Sequence, residues 1–247
     1  MRYLILTFIF LSIQNLTHSQ TMKEVIYNDA SQKLQGLAIA GTKGGPGVLI
    51  LPAWKGIDKE AKDAAVELNK LGYNVFIADI YGQGNIPTDN TSAAKIAGQY
   101  KTDYQAYQRR IKLALEELPK LGADAAKIAV IGYCFGGTGA LEVARANFDV
   151  LGTVSIHGGL AKDLSRPNLA IKTKVLVQHP AEDKSVSKQD YDNLEKELKD
   201  GKADFQIITY ASSGHTFTNP ESPEFNPVMT KRAWNHLLLF LKEVLEF

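Results

Sequence analysis

One cysteine, Cys134, stands in 247 residues, so no disulfide can form within the chain. No low-complexity linker and no internal repeat is present, which argues against a solenoid or a string of tethered modules. Charge of one sign is also missing. Lys and Arg total 28 against 27 Asp and Glu, and a polyanion partner such as nucleic acid is not expected from that balance. Histidines number five (His18, His157, His179, His215 and His236), and with a single cysteine they form no cluster at metal-ligand spacing; no metal or cofactor is expected. No apolar run is long enough to span a bilayer. The longest, Tyr3 to Ile13, follows Arg2 and ends in polar and small residues, with Thr17 and Ser19 placed for cleavage. That layout is the one expected of a secretory signal over residues 1–19, with an exported, periplasmic or secreted product lacking a stable membrane anchor. Removing it takes away one base and no acid, leaving residues 20–247 formally neutral. With 45% hydrophobic residues, that length fits one globular domain.

Within that domain, apolar runs alternate with helical patterns. Val25–Asn28 and Lys33–Ala40 read as a strand pair turning through Asp29-Ala30-Ser31-Gln32. Gly47–Leu51, Asn74–Asp79, 127–132, 151–156, 174–178 and 203–210 read as further strands, several of them continuous apolar runs of the kind covered on both faces. Helical spacing marks Asp58 to Leu71 with Gly72 as its stop, Ser92 to Leu118 with an interruption near Gly98, Gly137 to Asn147, Ser187 to Lys199, and Pro227 to Leu245. The alternation predicts an α/β fold: a mainly parallel sheet with helices on both faces and its site beyond the carboxyl ends of the strands.

The lone cysteine sits at such a strand end. In Gly132-Tyr133-Cys134-Phe135-Gly136 it occupies the centre of a Gly-x-nucleophile-x-Gly elbow, with sulfur where serine oxygen is usual. Asp183 follows the strand at 174–178, and His215 follows the strand at 203–210. The order nucleophile, acid, histidine is that of an α/β-hydrolase triad. Histidine would take the thiol proton and later protonate the leaving group, while the carboxylate would hold its tautomer. His157 also reaches this rim as a competing base, and Glu182 competes with Asp183. His179 reads as a hydrogen-bonding residue at a strand end, and His236 as structural or exposed within the last helix.

These residues give the chain a resemblance to the dienelactone hydrolase family, the cysteine-using branch of the α/β-hydrolases. It extends from about Leu49 to the final helix and is carried by Gly132-Tyr133-Cys134-Phe135-Gly136-Gly137, Asp79-Ile80-Tyr81, Ala181-Glu182-Asp183 and Gly214-His215-Thr216-Phe217. The resemblance implies hydrolysis of a small-molecule ester or lactone, with Cys134 as nucleophile, Asp183 as acid and His215 as base. It also implies backbone N–H donors to the oxyanion from Trp54 and Phe135. Three positions depart from the family pattern. Ala53 stands where a thiol-activating glutamate is found, and Gln83 and Asn219 stand where two arginines grip a substrate carboxylate. Without a bidentate clamp, dienelactone itself is a poor expectation as substrate. Lys55 or Lys184 remains as a cation for an anionic group. Two rivals stay open on sequence alone: a catalytically silent ligand-binding domain, and a redox sensor built on the free thiol.

Overall fold

The computed structural model describes residues 21–245, and the expected signal segment lies outside them. Its eight strands are β1 (Lys23–Asp29), β2 (Gln32–Ile39), β3 (Gly47–Leu51), β4 (Asn74–Ile77), β5 (Ile128–Tyr133), β6 (Gly152–Ile156), β7 (Lys174–Pro180) and β8 (Phe205–Tyr210). They form one sheet in the order β1-β2-β4-β3-β5-β6-β7-β8. β1 and β2 pair antiparallel, as do β2 and β4; every pairing from β4 through β8 is parallel. The order reverses at β3, whose neighbours are β4 and β5, and a crevice opens at such a switch point.

Among the described residues, seven helices cover the sheet: α1 (Lys59–Lys70), α2 (Asn90–Thr102), α3 (Tyr104–Leu115), α4 (Glu117–Lys120), α5 (Phe135–Arg145), α6 (Lys188–Asp200) and α7 (Pro227–Leu245). The central strands β3 to β6 are buried at every position because both faces are covered. Val48 and Ile50 of β3 pack with Ala61, Ala65 and Leu68 of α1 and Leu241 of α7. Leu49 and Leu51 point the other way, onto Tyr107 and Ile111 of α3 and Ala140 and Val143 of α5. A third cluster joins Val175 and Val177 of β7 to Leu194 and Leu198 of α6.

The sequence pattern misplaces several boundaries. The long helical stretch breaks at Asp103, not near Gly98, which lies inside α2. Asp103 ends α2 by donating its N–H to Gln99, and its carboxylate then accepts the Ala106 N–H to start α3. A residue that caps a new helix interrupts more strongly than a glycine with open space around it. β4 stops at Ile77, before Asp79, whose buried carboxylate accepts the backbone N–H groups of Gln35, Tyr81 and Gly82. The β1–β2 turn is tighter than expected, since Asp29 and Gln32 are already paired. The helix after the elbow starts at Phe135, two residues earlier than its pattern suggests.

Candidate active site

The elbow is the most constrained turn at the sheet's carboxyl edge. Cys134 has φ 53° and ψ −112°, a left-handed backbone that an L-residue adopts only when its surroundings impose it. Its two flanking glycines impose it. A Cβ on Gly132 would lie 2.0 Å from the Gly136 carbonyl oxygen, and one on Gly136 would lie 2.0 Å from that of Leu51. No side chain fits at either place, so strand and helix approach closely and the thiol is lifted above the sheet.

His215 Nε2 lies 3.1 Å from Cys134 Sγ, and His215 Nδ1 lies 2.8 Å from Asp183 Oδ2. With a carboxylate against Nδ1, the ring carries its proton there and turns Nε2 to the thiol. The two loops that carry Asp183 and His215 are tied by backbone bonds, Ala181 N–H to Tyr210 and Glu182 N–H to Ser213. Burial raises the Asp183 pKa, but hydrogen bonds from His215 and Ser185 and the nearby histidine charge outweigh it and hold the group at about 2. Burial likewise works to lower the His215 pKa. Hydrogen bonds to Asp183 and Cys134 and the charges of both prevail, and the imidazole is raised to about 10.

Phe135 opens α5, where first-turn amides have no intrahelical acceptor, and Trp54 sits in the turn after β3. Neither N–H has an acceptor among the described residues. The Tyr81 hydroxyl donates to the Trp54 carbonyl at 2.8 Å and so steadies that turn. Beside the triad, Ser185, Thr138 and Gly159 line a cavity of about 460 Å³ whose other walls include Tyr100 and Tyr104. A second cavity of about 360 Å³ lies between α1 and α7 and is walled in part by Tyr133, Thr218 and Trp234.

The remaining sequence candidates fall away from the thiol. His157 is buried at 1% exposure, and its ring meets the Cys134 N–H, not the sulfur. His179 is not the hydrogen-bonding residue its strand-end position suggests: its buried Nδ1 has no partner among the described residues, and its ring packs on Tyr191. His236 accepts or donates at Nδ1 with the Tyr210 hydroxyl, a structural role. Glu182 is exposed, while Asp183 faces His215. Gln83 donates to Gln35, and Asn219 accepts the Glu221 N–H within its own turn. Lys55 lies near the Trp54 ring, 6.0 Å from its centroid.

Sequence reasoning missed the supports. Ser185 donates to Asp183 Oδ1 through both its N–H and its hydroxyl, at 2.8 and 2.6 Å. Glu224 accepts from both the N–H and the hydroxyl of Thr216 and so braces the histidine loop. Among the described residues, no group of histidine, cysteine or carboxylate side chains could hold a metal ion, and no helix is long and apolar enough to cross a membrane.

A mainly parallel sheet with a nucleophile elbow, an acid and a histidine on its carboxyl rim defines an α/β-hydrolase. The chain belongs to the dienelactone hydrolase family, whose model matches residues 34–245. It is similar to a solved dienelactone hydrolase-like promiscuous phosphotriesterase from metagenomic libraries, with 28% identity, a TM-score of 0.84, and coverage of 91% of this chain and 98% of that one. A probable 2-oxo-3-(5-oxofuran-2-ylidene)propanoate lactonase from Bradyrhizobium sp is 25% identical over 208 residues, covering 80% of this chain and 83% of that protein. An uncharacterized protein of Caenorhabditis elegans is 33% identical over 144 residues, which are 54% of this chain and 91% of that one.

Proposed function

We propose that this hydrolase cleaves a carboxylic ester or lactone through Cys134, His215 and Asp183 by way of a thioester. The observation that carries the reading is the continuous path from Asp183 Oδ2 to His215 to Cys134 Sγ, at 2.8 and 3.1 Å. The proton shared between Cys134 Sγ and His215 Nε2 stays on His215, whose charged form is favoured, as sulfur attacks the carbonyl carbon. The N–H groups of Trp54 and Phe135 receive the oxyanion, and such donors stabilise the tetrahedral state more than the planar carbonyl. Collapse breaks the bond to the alkoxide, which leaves with the proton held on His215. Water then attacks the thioester, giving its proton to His215, and the released thiolate recovers that proton. Asp183 supports the positive imidazole in both steps.

The substrate class follows from what surrounds the thiol. Gln83 and Asn219 provide no guanidinium clamp, and the adjoining cavity of about 460 Å³, walled by aromatic and hydroxyl groups together with charged residues such as Lys101 and Asp190, suits a small polar molecule. Family membership and the names of the relatives support ester or lactone hydrolysis at this site. Export is part of the same reading and rests on the Arg2-led apolar stretch and small Ser19.

The deciding test is Cys134→Ala assayed with p-nitrophenyl acetate, alongside mass spectrometry of the wild type quenched during turnover. Turnover should fall to background in the variant, and the wild type should carry an acetyl group on Cys134. Activity near wild type in Cys134→Ala, or no acyl-enzyme with activated esters, would overturn the mechanism in favour of a binding protein. For export, the secreted or periplasmic pool should begin near residue 20; an intact Met1 there would refute it.

A further inference from the structure

The structure brings a second histidine to the elbow, at the backbone nitrogen of Cys134 and not at its thiol. His157 follows β6, with φ 40°, and its Nδ1 lies 3.1 Å from the backbone nitrogen of Cys134. Its Nε2 lies 2.8 Å from Thr218 Oγ1, and the Thr218 hydroxyl in turn donates to Glu60 Oε1. All three side chains are buried, at 1%, 9% and 6% exposure. His157 and Thr218 come from loops beyond β6 and β8, and Glu60 comes from the first turn of α1, so the path joins three distant segments.

Proton placement along this path is determined by its ends. The Cys134 N–H is a donor, so His157 Nδ1 must present its bare lone pair. The ring proton then resides on Nε2 and is donated to Thr218 Oγ1, and the Thr218 proton goes to the Glu60 carboxylate. Every donor points the same way, from the nucleophile's amide to a buried acid, and a doubly protonated His157 would set N–H against N–H at Cys134.

We propose that His157, fixed in its Nε2–H tautomer by Thr218 and Glu60, is a positioning residue that holds the strained Cys134 peptide, and with it the thiol and the Phe135 N–H, in reactive geometry. The inference rests on the reading of Cys134 as nucleophile. The Cys134 N–H is shared with the Ile156 carbonyl at 3.0 Å, so His157 supplies the second of two acceptors that pin a left-handed residue. Its ring also meets that of His215 edge-on, with centroids 5.4 Å apart, which supports the base from behind. His157 touches no substrate atom in this scheme and acts through Cys134.

Three variants test it: His157→Phe, which keeps ring bulk without an acceptor; His157→Asn, whose Oδ1 can take the Nδ1 position; and Thr218→Val, which cuts the path one bond further out. Each is measured for kcat and KM with p-nitrophenyl acetate and for the rate of Cys134 alkylation by iodoacetamide. The alkylation rate reports the thiol independently of ester turnover. His157→Phe should lower kcat about tenfold or more with little change in KM and slow alkylation, the scale expected for one lost buried hydrogen bond. His157→Asn should recover most of both rates, and Thr218→Val should slow both by about threefold. A folded His157→Phe with wild-type rates, or an Asn variant no faster than the Phe variant, would overturn the proposal. Should His157→Phe fail to fold, Thr218→Val decides: unchanged rates in a stable Thr218→Val would overturn it. Failure of the nucleophile reading is separate, since it appears as activity retained in Cys134→Ala.

Discussion

His215 and His157 both reach Cys134, one at its sulfur and the other at its backbone nitrogen, with ring centroids 5.4 Å apart, and they are asked for opposite things. His215 is part-exposed, with 24% of its side-chain surface open, and has a carboxylate at Nδ1 and sulfur at Nε2; both favour its charged form, which is raised to about 10. His157 has a backbone N–H at Nδ1 and a hydroxyl at Nε2, and the geometry calls for an acceptor at Nδ1. The same type of side chain thus meets the thiol in one case and accepts a hydrogen bond from the amide in the other. What separates them is the group opposite Nδ1: an acceptor puts a proton on that nitrogen, and a donor removes it.

The largest contrast should come from the thiol face. His215→Ala should reduce kcat by at least about a hundredfold, the scale of lost general-base catalysis, whereas His157→Asn should stay near wild type. Steady-state rates with p-nitrophenyl acetate compare them, and equal losses would erase the distinction between the two faces. Next in size is Gly136→Ala. Its Cβ would fall 2.0 Å from the Leu51 carbonyl oxygen, so the elbow must rearrange, and denaturant unfolding should show a loss of about 3 kcal/mol or more, or no soluble protein. Ser185→Ala removes the hydroxyl that donates to Asp183 and lies 3.1 Å from His215 Nδ1. It should cost about threefold in kcat, with the Asp183 pKa rising toward the usual carboxylate value; no change in either would assign Ser185 to loop structure alone.

The same comparison has a pH signature. His215 is raised from 6.5 to about 10, so its contribution to stability is complete below 6.5 and is lost as pH rises through about 10. Asp183 is lowered from 3.8 to about 2, so its contribution is complete above 3.8 and is lost as pH falls through about 2. The two shifts describe one interaction. The Tm difference between wild type and Asp183→Asn should therefore be largest between these limits and shrink toward both; a difference independent of pH would break this account. The smallest effect is expected at Asp58, the N-cap of α1, where burial raises the carboxyl from 3.8 to about 6. Ionising it disfavours the folded state, so that penalty is absent below 3.8 and full above 6. Asp58→Asn keeps the cap and should raise Tm by about 2–4 °C at pH 8, with no gain at pH 3.5.

Much of this molecule is visible in its residues taken in order. Apolar runs such as Gly47–Leu51 can be buried only between two layers of helices, so the parallel sheet follows from them. Gly132 and Gly136 mark the elbow because the spacing of its turn excludes every side chain, and the positions of Asp183 and His215 after their strands place both on the elbow's rim. Boundaries were less legible where a side chain far along the chain decides them. Asp79 ends β4 by gathering amides from β2 as well as its own turn, which no local pattern announces.

The order of residues by itself determined the fold class and pointed to the turn at Cys134 with Asp183 and His215 on the same rim, because strand alternation and turn sterics are local properties. It left two histidines near one cysteine and could not say which nitrogen faces which atom. Only the tertiary structure decided that, by bringing Glu60 from the first helix and Thr218 from the loop after the last strand to the back of the elbow. Hydrogen-bond direction depends on the partner across space, and here Thr218 and Glu60, 158 residues apart, meet behind His157.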